Sequence, residues 1–413
     1  NAPACKAGQV GSIPTSASRH PSAKRGLLMK QTTSPFTIVL VCAFLSCASI
    51  QAAPVTAARP APPVSETTYN YYVSADGSDS NPGTFEMPFQ TILRASKVAM
   101  PGTTIHVAPG TYTGGFKTTM SGTESQRIYY LSTVKWGARL VPPVNSETKA
   151  AWDNRGSYVD IVGFDIDGSP SHRGIKWTHG IYNGGSRTII KDNRVHHVAR
   201  EIGCNGSGGA GIGVDSYYKG VQSHIIGNTV HDIGAKGCRF VQGIYISTSG
   251  SAKNNVVYNV SGAAIQMWHD ANNVVVSNNT VSSSMTGILV GGGDFYHSKG
   301  PNDYTAVHNN IVYDNKYGIS EQGATGPNNT YRNNLVFQNP SGDWTLRNGL
   351  THSGTIAQPP QFVRYGKQLV PDFRLRQSSP AIGRGTEEQA ALTDAIGKQR
   401  LKTSGIDIGA FQH

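Results

Sequence analysis

A three-residue phrase, Asn followed by any residue and then Val, recurs six times in the central part of the chain. Successive copies are separated by 35, 27, 24, 31 and 24 residues. A second phrase, Gly or Ala followed by Ile, alternates with the first. The first phrase begins at Asn193, Asn228, Asn255, Asn279, Asn310 and Asn334, and the second at Gly180, Gly211, Gly243, Ala264, Gly287 and Gly318.

Each phrase has the composition of a short β-strand, because it is rich in Val and Ile and bounded by Gly, Asn and Ser. The region shows no helical periodicity. One short strand cannot bury its apolar face alone, but strands of successive turns stacked about 4.8 Å apart form a continuous core. Insertions at the corners accommodate the uneven steps. The repeat therefore predicts an all-β parallel β-helix in which the recurrent Asn stack at one corner; a propeller would need four strands per blade and a more regular period.

The N-terminal part indicates an exported protein. Residues 1–28 resemble translated upstream sequence, and residues 29–53 have the features of a signal peptide: Lys30 after Met29, an apolar run at 36–45 and small residues near Ala53. A Pro/Ala-rich linker follows at 54–68. We therefore expect a secreted protein, extracellular or periplasmic, that is monomeric and not membrane-bound.

Residues 69–413 are predicted to form one β-helix domain. An open stack would expose a strand edge and the core, so both ends need covers. Residues 69–115 are assigned to an N-terminal cap, since 91–100 has the spacing of an amphipathic helix. Residues 350–413 have lost the repeat and are assigned to an irregular C-terminal closing segment.

The net charge gives a weak indication of the partner. The whole chain carries +11, and removal of residues 1–53, which hold five basic and no acidic residues, leaves +6. A nucleic-acid-binding protein needs clustered basic residues, and no such cluster is present. A mild positive balance suits an acidic polysaccharide, although a solvated basic surface explains it equally well.

Two stretches resemble known proteins. YYVSADGSDSNPGTFEMPFQTILRAS with GTTIHVAPGTY, and SPAIGRG with DIGAFQ, resemble the opening and closing segments of exported bacterial right-handed β-helix carbohydrate-active proteins, such as family 9 polysaccharide lyases and a β-xylosidase family. The resemblance implies a right-handed helix and activity on polysaccharides. Family 9 lyases bind calcium with an Asp cluster beside a Lys base, and that cluster does not align with this chain.

Two long excursions point to a site. The gap from the Asn of one phrase to the next Gly or Ala is 18 and 15 residues in the first two turns, but 9, 8 and 8 later. Long loops on a regular scaffold often carry function, although neutral insertion is also possible. Cys204 and Cys238 occupy nearly the same place in the two excursions, so we expect a disulfide between them.

Alternation from the inward Ile column places aromatic and polar residues on the outer face beside these excursions. They form a surface suited to stacking and hydrogen bonding with sugars, although exposed strands also favour aromatics. The predicted substrate-binding residues are Tyr182, Gln266, Trp268, His269, Asp270 and Lys236.

The function expected from these residues is β-elimination of a uronic-acid-containing polysaccharide. That reaction needs a base for the C5 proton and a cation at the carboxylate. Lys219 or His231 is the predicted base and Tyr245 the donor to the leaving oxygen. Arg239, or calcium bound by Asp215 with Asp232 as a further ligand, is the predicted cation. No organic cofactor is expected.

Two other functions stay open from the sequence. Glycoside hydrolysis needs two carboxyl groups, for which Asp215 and Asp270 are the obvious pair and Glu321 lies further along. A non-catalytic glycan-binding or cell-surface β-helix would use the same surface without chemistry.

Overall fold

The computed structural model describes residues 68–144, 149–169, 176–202, 204, 208–366, 370–400, 403 and 405–413. The expected upstream sequence, signal peptide and almost all of the linker lie outside these residues, so export remains a prediction. No helix within the described part of the chain is long and apolar enough to cross a membrane.

Three parallel sheets make up the domain, and the chain visits them in the order A, B, C once per turn. Sheet A contains β1 (Tyr69–Val73), β2 (Thr103–Val107), β5 (Ile128–Ser132), β8 (Val159–Val162), β11 (Ile189–Lys191), β14 (Ser223–Ile226), β17 (Gly250–Lys253), β20 (Val274–Ser277), β23 (Ala306–His308), β26 (Thr330–Arg332) and β29 (His352–Ser353). Sheet B contains β3 (Gly110–Thr113), β6 (Ala138–Val141), β9 (Asp165–Asp167), β12 (Arg194–His196), β15 (Thr229–Ile233), β18 (Val256–Val260), β21 (Thr280–Ser282), β24 (Ile311–Tyr313) and β27 (Leu335–Phe337). Sheet C contains β4 (Phe116–Thr118), β7 (Ala150–Asn154), β10 (His179–Asn183), β13 (Gly209–Val214), β16 (Val241–Ile246), β19 (Ala263–Met267), β22 (Thr286–Gly292), β25 (Tyr317–Gly323) and β28 (Trp344–Thr345).

The predicted parallel β-helix is confirmed by the strand register. The six Ile of the second phrase pair with one another along sheet C, and each is at most 1% exposed. The Val of the first phrase lines sheet B in the same way, with every member fully buried. These columns are Ile181, Ile212, Ile244, Ile265, Ile288 and Ile319 in sheet C, and Val195, Val230, Val257, Val281, Val312 and Val336 in sheet B.

The Gly of the second phrase is required because sheets B and C approach closely there. A Cβ atom added to Gly211 would lie 2.6 Å from Cγ1 of Val230, and one added to Gly243 would lie 2.5 Å from Cγ1 of Val257. Both distances are shorter than carbon atoms tolerate. The two phrases therefore recur together because the Gly of one packs against the Val of the other across the core.

The corner between sheets A and B explains the paired Asn of the sequence. In four turns the buried ladder residue is the second of two consecutive Asn, whereas Asn193 and Asn228 follow Asp192 and Gly227. Nδ2 of each ladder Asn donates to Oδ1 of the ladder Asn in the next turn at 2.9–3.1 Å. The residue before the ladder Asn has a left-handed backbone, as at Asn254 (φ 56°) and Asn278 (φ 54°), a conformation that Asn tolerates better than most residues.

The N-terminal cover contains the expected helix, α1 (Ile92–Val98), which contacts β1, β2 and β4. Oγ1 of Thr91 accepts a hydrogen bond from the Arg94 amide at 3.1 Å and caps the helix. At the other end, Trp344, Leu346 and Leu350 pack against the core.

The segment after the last turn is irregular, as the sequence predicts. It contains the antiparallel pair β30 (Phe362–Arg364) and β31 (Asp372–Leu375). Its apolar residues, including Phe373 and Ile408, form a second hydrophobic cluster with Val256 of sheet B. The segment therefore covers part of the flank of the β-helix, and residues 344–350 cover its end.

Substitution of Asn255 by Ala should destabilise the domain strongly. Its Oδ1 accepts from both the backbone and side-chain nitrogens of Asn228, and its Nδ2 donates to Asn279. Leaving these buried groups without partners should lower the free energy of unfolding by about 3 kcal/mol, measurable by denaturant titration. The exposed Asn328 provides a matched Asn→Ala control with little expected effect. An unchanged midpoint for Asn255→Ala would contradict the role of the ladder.

Candidate active site

The outer face of sheet C brings several predicted residues together around a shallow depression. Tyr182, Gly213, Tyr245 and Gln266 occupy one register position on successive strands. A Cβ atom added to Gly213 would make only normal van der Waals contacts, the nearest with Cδ2 of His179 at 3.7 Å. The missing side chain leaves space between Tyr182 and Tyr245 in which a ligand can approach the sheet.

His179 borders this depression and was missed by the sequence reasoning. Strict alternation from the buried Ile181 would turn His179 into the core. The alternation is broken at Gly180, where an added Cβ would point at Val195 in the core. Two consecutive residues thus face inward, and His179 emerges beside Tyr182, with ring centroids 5.4 Å apart. The inward Gly of the second phrase is the signal that could have identified it.

Burial makes His179 a neutral imidazole at neutral pH. It lowers the pKa of His179 to about 4, although the carboxylates of Asp215 and Asp153 act in the opposite direction. The hydroxyl of Thr178 lies 3.0 Å from both the Lys149 carbonyl and Nδ1 of His179. The tautomer in which this hydroxyl donates to the carbonyl has the hydrogen on Nδ1 and a lone pair on Nε2. In either tautomer, one ring nitrogen can accept a proton.

Asp215 holds the neighbouring Tyr182 in place. Its carboxylate accepts from the Tyr182 hydroxyl at 2.8 Å, from the Ser247 hydroxyl at 2.7 Å and from the Tyr217 amide at 2.9 Å. Burial, reinforced by the Asp215 charge, raises the pKa of Tyr182 well above its ordinary value. Tyr182 thus stays protonated, with its hydrogen directed at Asp215.

Arg155 provides a fixed positive charge at the edge of the outer face of sheet C. It was not predicted from the sequence, because it lies outside both repeated phrases. Its Nε lies 2.6 Å from Oδ1 of Asp153. The guanidinium stacks over the ring of Tyr218 at 3.6 Å and lies 4.7 Å from the ring centre of Tyr182. This packing fixes the plane of the guanidinium beside the depression.

Asp270 anchors the loop at 294–298. Its carboxylate accepts from the amides of Tyr296, His297 and Ser298 at 3.0–3.1 Å, and from the hydroxyls of Ser298 and Ser216 at 2.9 and 3.0 Å. Burial alone would raise the pKa of Asp270, but these hydrogen bonds outweigh burial and lower it. Its carboxylate is thus committed to the loop.

The two residues before Asp270 lie next to the loop at 294–298 but have different roles. His269 is only 2% exposed, and its ring nitrogens lie 2.8 Å from the Asp294 carbonyl and the Tyr296 hydroxyl. The Trp268 ring packs on the backbone of Gly291, where an added Cβ would lie 2.5 Å from the ring. Trp268 stays partly exposed and can contact a ligand, whereas His269 supports the loop.

Several predicted residues lie away from this depression. His231 and Asp232 belong to sheet B, where His231 stacks between His196 and Tyr258 and its Nδ1 lies 2.7 Å from Asp232. His196 and His231 stack because they pair in register on the neighbouring strands β12 and β15.

The remaining predicted residues are exposed. Lys219 lies in a turn after β13, with a left-handed backbone (φ 64°). Lys236 and Arg239 flank Cys238 on the second excursion. The expected disulfide between Cys204 and Cys238 is present, with Cα atoms 5.0 Å apart, so the two excursions are joined.

A groove of about 1110 Å³ lies between sheet B and the C-terminal segment. Tyr258, Tyr313 and Tyr365 line it together with His231 and Asp232. His231 is already paired with the carboxylate of Asp232. The depression on sheet C, where His179 is neutral, is the better candidate for acid–base chemistry.

Comparison with known families agrees with the architecture. Residues 149–354 match the family described as right-handed β-helix region, and residues 75–120 match a family described as a protein of unknown function, DUF1565. The expected resemblance is confirmed, and the chain is a right-handed parallel β-helix.

Individual relatives were found at low identity. Pectate lyase L of Dickeya chrysanthemi is 25% identical, over 83% of this chain and 90% of its own length. The uncharacterized protein YwoF of Bacillus subtilis is 32% identical over 133 residues, which are 31% of this chain and only 28% of YwoF. The solved structure of pectate lyase Pel9A superimposes with a TM-score of 0.55 at 16% identity, over 84% of this chain and 97% of that one.

Substitution of Asp270 by Ala should release the loop at 294–298. The amides of Tyr296, His297 and Ser298 lose their common acceptor, so their hydrogen exchange should accelerate about tenfold or more. Hydrogen–deuterium exchange with mass spectrometry measures this directly. Asp294→Asn is the control, because only the carbonyl of Asp294 contacts His269 and Asn suits its left-handed backbone. Unchanged exchange in Asp270→Ala would contradict the anchoring role.

Proposed function

We propose that this right-handed β-helix protein cleaves an acidic, uronic-acid-containing polysaccharide by β-elimination on the outer face of sheet C. The observation that carries the proposal is the imidazole of His179, which burial keeps neutral at neutral pH and which lies beside Gly213, with the guanidinium of Arg155 nearby. The similarity to pectate lyase L over most of both chains supports the same chemistry.

In this mechanism, Nε2 of His179 removes the C5 proton of the uronate. The electron pair forms the C4–C5 double bond, and the glycosidic oxygen leaves from C4 and gains a proton. Tyr245, across Gly213 from Tyr182, is the proposed donor to that oxygen. Lys219, which is exposed in the turn after β13, is the alternative base.

A cation must neutralise the uronate so that its C5 proton becomes acidic. We assign this role to Arg155, whose planar guanidinium suits a carboxylate. Asp153 partly balances the charge of Arg155, so the substrate carboxylate and Asp153 would share the guanidinium. Arg239 lies on the excursion and could contact a longer substrate.

Calcium fits the predicted ligands poorly. Asp215 and Asp232 lie on different sheets, and each carboxylate already accepts hydrogen bonds from protein groups, such as Tyr182 at Asp215 and His231 at Asp232. An oxygen cage for Ca²⁺ requires several carboxylate or carbonyl oxygens facing one point. We derive no step of the reaction through calcium.

Glycoside hydrolysis has less support than elimination. It needs a carboxyl group that holds a proton at working pH, and the pKa of Asp270 is lowered. Glu321 is buried and accepts hydrogen bonds from Tyr331, Asn329 and the Arg347 amide. Both carboxylates predicted from the sequence to accompany Asp215 are therefore engaged in holding the fold.

The direct test is incubation with a panel of uronans, with and without EDTA, while the ultraviolet absorbance of the unsaturated product is followed. His179→Ala should lower the rate at least about 100-fold, because a general base contributes that much or more. His224→Ala, a half-buried histidine on sheet A, is the matched control and should stay near wild type. Lys219→Ala decides between the two bases.

Three outcomes would contradict the proposal. New reducing ends without the unsaturated product would indicate a hydrolase. Binding without cleavage would indicate a non-catalytic glycan-binding protein. Wild-type turnover in both His179→Ala and Lys219→Ala would discard the assigned bases.

The pH dependence gives a further prediction. His179 must be neutral to accept a proton, and it becomes charged only as the pH falls through about 4. The acid limb of kcat/KM, which reports the free enzyme, should therefore lie near pH 4 and not near the ordinary histidine value. A profile without an acid limb near pH 4 would contradict His179 as the base.

A further inference from the structure

A separate cluster of metal-binding side chains lies on the outer face of sheet B. Asp167 ends β9 and pairs in register with His196 at the end of β12, and His197 follows directly. One ligand atom from each of these three residues can be chosen so that all lie within 4.8 Å of one another. None of the three belongs to the depression on sheet C.

The two imidazoles face each other through the same ring atom. Nδ1 of His196 lies 2.7 Å from Nδ1 of His197, and Oδ1 of Asp167 lies 3.6 Å from Nδ1 of His196. Oδ1 of Asp167 also accepts hydrogen bonds from the amide and the hydroxyl of Ser169, as carboxylate ligands of metals commonly do. Two nitrogens bound to one tetrahedral Zn²⁺ are about 3.3 Å apart, given bonds of about 2.0–2.1 Å. A shift of well under 1 Å in the half-buried His197 would convert the contact into a metal-binding pair.

The rings of His196 and His197 lie on the same side, although the residues are adjacent, because the chain turns a corner after β12. His197 has a left-handed backbone (φ 56°), and so does the equivalent residue of later turns, such as Asp232 and Asn259. This conformation belongs to the corner and is no sign of function by itself. The two consecutive His are distinctive, because the corresponding later pairs are His-Asp, Tyr-Asn, Ser-Ser, Tyr-Asp and Phe-Gln.

A buried carboxylate supports the first histidine from behind. Nε2 of His196 lies 3.1 Å from Oδ1 of Asp165, which is fully buried and held by Arg194 and Arg139. Histidine ligands of metals commonly donate their second nitrogen to a carboxylate, which fixes the ring and increases its basicity. The ring also stacks on His231, with centroids 5.1 Å apart. His196 is thus held in position before any ion arrives.

We infer that Asp167, His196 and His197 bind one divalent transition-metal ion, for which Zn²⁺ is the natural probe. Two imidazoles and one carboxylate suit Zn²⁺ and its neighbours, whereas Ca²⁺ takes oxygen ligands. Three protein ligands leave at least one coordination position for water or an oxygen of a bound molecule. The inference does not depend on the function proposed for sheet C.

The test is isothermal titration of the EDTA-treated and dialysed protein with Zn²⁺. The expected result is saturable binding of one ion per chain, unaffected by excess Ca²⁺. His197→Asn should weaken binding at least about 100-fold, because it removes a ligand, while Asn tolerates the left-handed backbone. His224→Asn on sheet A is the matched control and should bind as wild type does.

A positioning variant separates this site from adventitious binding. Asp165→Asn should weaken Zn²⁺ binding about 10- to 100-fold although Asp165 touches no ion, and circular dichroism should verify its fold. No saturable binding by the wild type, or equal affinity in His197→Asn, would overturn the inference. Displacement of Zn²⁺ by Ca²⁺ would also overturn it.

Discussion

The buried amide ladder is the interaction on which the structure depends. A side-chain amide removed from water must find partners for its donors and its acceptor. Here each ladder Asn finds them in the turns before and after it, as Asn255 does with Asn228 and Asn279. The corner between sheets A and B is thereby fixed in the six turns from Asn193 to Asn334. Length variation falls at the other corners, as in the 12 residues between β12 and β13 (sheets B and C) and the 13 residues between β22 and β23 (sheets C and A).

This constraint explains what the sequence could predict. A ladder Asn, an inward Val and an inward Ile are local signals that repeat, so the fold and the inward columns follow from them. The disulfide follows as well, because Cys204 and Cys238 occupy equivalent places in adjacent turns. Each inference needs only the assumption that equivalent positions stack.

The site residues were harder to predict because they depend on departures from the repeat. His179 faces outward because Gly180 breaks the alternation of the strand. His269 and Asp270 look like surface groups in the sequence, yet the loop at 294–298 returns over them and uses their polar atoms. Arg155 lies in no repeated phrase and becomes part of the site only through stacking on Tyr218. Such long-range contacts leave no periodic trace in one sequence.

The proposal that the chemistry takes place on sheet C, around Gly213, is tested most directly by a crystal structure of His179→Ala with an oligouronide that the wild type cleaves. We expect a sugar ring over Gly213 between Tyr182 and Tyr245, with its carboxylate directed at Arg155 and its C5 hydrogen toward the space vacated by His179. An oligosaccharide bound instead in the groove between sheet B and the C-terminal segment, with sheet C empty, would contradict it.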